Sequence, residues 1–98
     1  MGISIKSAEF LLASRMAEAA GGCADACYDL GMAYSCGTGG VDVDLIAAHK
    51  WFNLAALRGM EEAQYCRADV AEEMSGREIA EAQRLARAFI AETGRRAA

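Results

Sequence analysis

Residues 26–59 read ACYDLGMAYSCGTGGVDVDLIAAHKWFNLAALRG, and their pattern decides the fold. Before the glycine loop, Ala26, Leu30, Ala33 and Tyr34 recur at helical spacing. After it, Leu45, Ala47, Ala48, Trp51, Phe52, Leu54, Ala55 and Ala56 leave only a narrow polar stripe at His49, Lys50 and Asn53. A helix that is apolar around so much of its circumference needs neighbours on more than one side. It is therefore expected at the centre of the fold, with His49 as an exposed residue of the polar stripe. Such a helix pair cannot bury its faces alone and must stack on further helices.

The glycines and polar caps set the boundaries. The first helix of the pair is expected from Ala24 to Cys36, ended by Gly37, and Thr38-Gly39-Gly40 turns the chain. Asp44 is placed to cap the second, from Leu45 to Arg58, which Gly59 closes. Gly31 lies inside the first helix, where glycine costs roughly 1 kcal/mol against alanine. Its presence predicts that another helix backbone approaches closely there.

The same reading extends outward. Ser7 is expected to cap a helix running to Ala20, where Gly21-Gly22 supplies a left-handed stop. A fourth helix is expected over about Glu61 to Met74. The capping-box pattern Ser75-x-x-Glu78 precedes a fifth, from Gly76 to about Glu92. In it Ile79, Ala82, Ala86, Phe89 and Ile90 should face inward and Glu81, Arg84 and Arg87 should face water, followed by a frayed basic tail. Gly22 aligns with Gly59, Ala26 with Ala63, and Tyr28 with Tyr65, each 37 positions apart. With helices of about a dozen residues, that period describes stacked helix pairs.

Composition agrees. A chain of 98 residues makes one small domain, and 54% apolar content carried mainly by Ala, Leu and Met, with no proline, suits close-packed helices and not sheets. The expected fold is all-α, a short α-solenoid of antiparallel helix pairs with about five helices. A net charge of −4 counts against a nucleic-acid partner, which needs a basic face. No apolar run reaches the ~18 residues of a membrane span, so no membrane partner is expected. The first twenty residues read as a helix and not a signal peptide, which points to a cytoplasmic location.

Reactive side chains are few. Cys23, Cys27, Cys36 and Cys66 with His49 lack the paired short-spaced motif of a structural zinc site. Cys-His catalysis would require Cys27 or Cys36 beside His49 and a third orienting group. Gly37-x-Gly39-Gly40 has neither the lysine nor the preceding strand of a phosphate loop, and Asp42-x-Asp44 lacks the other ligands of a calcium loop. No catalytic residue, metal or cofactor is expected, and the chain is not expected to be an enzyme. The default for the cysteines is free buried thiols; the alternative is a thiol-based redox or metal-responsive regulator.

The run LG-x-x-Y-x-x-G-x-GG-V, then D, then A-HKWFNLAALRG resembles the Sel-one-like repeat, an αα-hairpin unit related to tetratricopeptide repeats. Leu30, Gly31, Tyr34, Gly37, Val41, Asp44, Ala48, Trp51, Ala55, Ala56 and Gly59 stand at its signature positions. The resemblance implies a single domain, 1–98, made of a helix from a preceding half-unit at 7–20, a full repeat at 24–59, and a truncated closing unit with a capping helix at 61–93. Cysteine-rich relatives carry disulfides between the two helices of a unit, a pairing closed to the full repeat here because its second helix has no cysteine. The resemblance further implies a non-catalytic protein–protein interaction module or adaptor of bacterial type, presenting a concave surface to another protein. In related repeats the first helix of each pair lines that surface. The matching stripes Tyr28, Met32 and Ser35, and Tyr65, Asp69 and Glu72, are then the candidates for partner contact, although both tyrosines also suit the core. The open Phe10-Leu11 side can pair with its own copy in a homodimer.

Overall fold

A computed structural model describes residues 5–97, with side chains from 9 to 95. Its elements are α1 (Ile5–Ala20), α2 (Ala24–Cys36), α3 (Leu45–Leu57), α4 (Glu61–Ala71) and α5 (Gly76–Ala97), with no strand among the described residues. The body is a slab 22 Å thick, the depth of two layers of helices. Helix α3 packs against α2, α4 and α5, and α1 lies against α2. The helix with the widest apolar arc is thus the central one.

The local signals act largely as chemistry dictates. Asp44 is extended, and its carboxylate accepts from the Ala47 amide at 3.1 Å, satisfying a donor that the first turn of α3 leaves open. At α5 the exchange is reciprocal: the Ser75 amide donates to Glu78 Oε1 at 2.8 Å, and the Glu78 amide donates to Ser75 Oγ at 3.1 Å. Gly22 and Gly59, 37 positions apart, both take left-handed backbone, φ 100° and 95°. Each leads through an extended residue, Cys23 or Met60, into the next helix. Two copies of one backbone turn therefore begin α2 and α4, and Ala26 and Ala63 are buried at equivalent depth.

Several boundaries differ from the sequence reading. Ser7 lies inside α1 and is not its cap; its side chain falls outside the described residues. Helix α3 ends at Leu57 with Arg58 as its cap, and α4 stops at Ala71, short of Met74. Helix α5 continues to Ala97, so the basic C-terminal segment is helical and not frayed. Ile90, expected to face inward, is 44% exposed, while Ala82 and Ala86 are fully buried.

The core is made of alanines around a few large side chains: Phe52, Leu30, Leu54 and Cys27 are the largest fully buried ones. The expected close approach at Gly31 exists, but its agent is a side chain. A Cβ at Gly31 would stand 2.6 Å from two carbons of the Phe52 ring, well inside van der Waals contact. Tyr28 closes on the same ring, centroids 5.8 Å apart. Farther along, Trp51 meets Phe89 of α5 edge-on at 5.1 Å, with Lys50 Nζ 4.2 Å from the Trp51 centroid.

Because the Asp44 bond begins the central helix, Asp44→Ala should lower stability by about 1 kcal/mol in urea unfolding. An unchanged midpoint would contradict the capping role.

Candidate functional site

Helices α2 and α4 meet at one described point: the Cys66 thiol donates to the Tyr28 hydroxyl at 3.9 Å, a sulfur-length contact. Tyr28 is therefore half-buried, with its ring on Phe52 and its oxygen at the seam. The neighbouring Cys66 thiol is the main cause that raises its pKa, and burial and the carboxylates of Glu62 and Asp29 add to it.

The other candidates divide by depth. Tyr65 is 66% exposed and Met32 38%, and Asp69 and Glu72 are also exposed. Ser35 is half-buried, and its hydroxyl donates back to the Met32 carbonyl at 3.0 Å, a bond within its own helix. The six do not form one contact cluster. Tyr28 and Tyr65, equivalent in sequence, differ in environment because Phe52 and Cys66 meet Tyr28, whereas Tyr65 has no such neighbour among the described residues. Cys66 and Glu62 belong to the surface around Tyr28, and sequence reasoning missed them. The 37-residue offset was the usable signal, since Cys66 adjoins Tyr65 and Glu62 lies one turn before it.

His49 is corrected outright. It is buried, 3% exposed, and its Nδ1 has no hydrogen-bond partner among the described residues. The polar stripe of α3 is not free surface: Arg67 of α4 crosses to donate to Asn53 Oδ1 at 2.7 Å, one turn beyond His49. Burial pushes the His49 imidazole below its ordinary pKa of 6.5, and the Arg67 charge adds to the effect.

All four cysteines are free thiols. Cys23 precedes α2 as its cap, Cys36 is exposed at its end, and Cys27 is fully buried. Arg58 Nη1 reaches Cys27 Sγ at 3.3 Å, yet burial outweighs it and pushes the thiol's pKa up. Beyond this seam, a groove of about 250 Å³ opens between α1 and α2, lined by Leu11, Leu12, Leu30 and Ala33 with the Arg15–Asp29 ion pair (3.3 Å) in its wall.

The helix pair α2–α3, with its glycine turn and its Gly31–Phe52 contact, coincides with a known unit: residues 24–60 match the profile of the Sel1 repeat. That segment is similar to a Sel1 repeat. Comparison with curated proteins and with solved structures found no match. Sel1 repeats are related to tetratricopeptide-type helical repeats and generally serve as protein-interaction modules. Among the described residues, no helix is long and apolar enough to cross a membrane.

A depressed imidazole gives a signed pH dependence. As pH falls below 6.5, the unfolded chain takes up a proton on this histidine that the folded domain resists, so stability is full above that value and declines through the window beneath it. Urea midpoints at pH 7.5 and 5.5 should differ less in His49→Gln than in the parent. Equal differences would place His49 in a solvated setting.

Proposed function

We propose that this protein is a non-catalytic interaction module, an adaptor whose α2 and α4 present a surface to another protein. The observation that carries the reading is Tyr65: a large ring two-thirds exposed on a helix whose equivalent ring, Tyr28, is covered by the next helix of the stack. Met32 on α2, and Asp69 and Glu72 at the end of α4, are exposed as well. A sequence pI near 4.9 and the carboxylates on these helices favour a protein over a nucleic acid as partner.

The redox alternative draws less support. Reactive thiols need an exposed setting that favours the thiolate, and the burial of Cys27 does the opposite. Self-association has its own observation, since Phe10 is 70% and Leu11 51% exposed on α1. A homodimer through that side leaves the α2–α4 surface open to a different partner.

One experiment tests both surfaces. A photoreactive phenylalanine is placed in the full chain at position 10, 65 or 87 and irradiated in native extract. The expected outcome is an adduct with a different protein from position 65, an adduct with a second copy from position 10, and neither from position 87 on the outer side of α5. Adducts of equal yield from all three positions would contradict the assignment.

A further inference from the structure

Helices α2 and α4 touch where the Cys66 thiol reaches the Tyr28 hydroxyl. On Tyr28, α4 thus brings a small side chain, Cys66, to the ring hydroxyl. The equivalent ring, Tyr65, has no such helix beside it among the described residues and stands 66% exposed. Its surroundings carry one sign of charge. Glu61, Asp69 and Glu72 lie four residues before, four after and seven after Tyr65, so all share its face of α4. None of the three enters an ion pair among the described residues.

Two of these carboxylates stand where folding alone disfavours them. Asp69 lies in the last turn of α4 and Glu72 is its C-cap, at the negative end of the helix dipole, and the last turn holds no basic residue. The dipole of α4 disfavours anionic side chains at that end, and a cationic partner would offset their charge.

Resting on the reading of the chain as an interaction module, we propose that the open edge of α4 at Tyr65 receives a helix of basic character from another protein, which meets Tyr65 as α4 meets Tyr28. The partner helix brings a small residue to the Tyr65 ring, as Cys66 is brought to Tyr28. Its lysines and arginines meet Glu61, Asp69 and Glu72, with their aliphatic stems and charge over the exposed ring.

The test uses a phage-displayed library of helical peptides selected against the immobilised full-length protein, followed by fluorescence anisotropy with an enriched peptide. Enriched helices should carry net positive charge and bind more weakly as salt rises. Affinity should fall about tenfold in Asp69→Asn/Glu72→Gln, fall similarly in Tyr65→Ala, and hold in the control Glu9→Gln/Asp42→Asn. The same Asp69→Asn/Glu72→Gln variant should melt at a higher temperature than the parent, so weaker binding cannot be assigned to unfolding. Neutral or acidic enriched peptides, or loss of binding in Tyr65→Ala with none in Asp69→Asn/Glu72→Gln, would overturn the basic partner and leave the interaction surface standing. Binding indifferent to both variants would overturn the surface as well. A salt-sensitive self-association abolished by Arg87→Glu would show the edge filled by α5 of a second copy, and would also overturn the proposal.

Discussion

The ring of Phe52 occupies the space that a side chain at position 31 would take, and the rest of the molecule is arranged around that contact. With hydrogen alone at Gly31, α2 comes close enough to α3 for the ring to be fully buried between them. Tyr28 closes on the same ring, so the contact also determines where the α2 surface begins. The glycine weakens its own helix by roughly 1 kcal/mol. Burying an aromatic ring offsets that loss, at roughly 25 cal/mol per Å² of apolar surface removed from water.

From this hairpin the stack grows in one direction by repetition. The left-handed glycines at 22 and 59 restart the chain in the same way, and α4 packs on α3 and touches α2 through Cys66 and Tyr28. Helix α5 then packs along α3, through Trp51 and Phe89, and the α4 edge is left open. The proposed binding surface is thus an exposed face of α4 like the α2 face that Cys66 meets, left without a further helix among the described residues. The carboxylates at the end of α4 stand against that helix's dipole on an exposed edge.

Much of the fold was legible because its signals are local. The spans of α2 and α3, the Asp44 cap and the Ser75–Glu78 capping box each depend on residues within a turn of one another. The Gly22–Gly59 offset exposed the repeat for the same reason. What was misread depends on contacts between elements. Gly31 announced a close neighbour, but helix periodicity does not say whether backbone or ring fills the gap. His49 looked exposed on a polar stripe because Arg67, 18 positions later, is what crosses that stripe to reach Asn53. The candidate surface was legible as two matching stripes. The unequal burial of Tyr28 and Tyr65 was not, since it arises from their places in the stack.

The central claim is that Phe52 needs the vacancy at Gly31, and Gly31→Ala tests it by the sign of a single number. Urea unfolding should show a loss of about 1–3 kcal/mol, as overpacked cores do, with a smaller loss when the same change is made in a Phe52→Leu background. A gain approaching 1 kcal/mol, the ordinary result of replacing glycine by alanine in an open helix, would contradict the account.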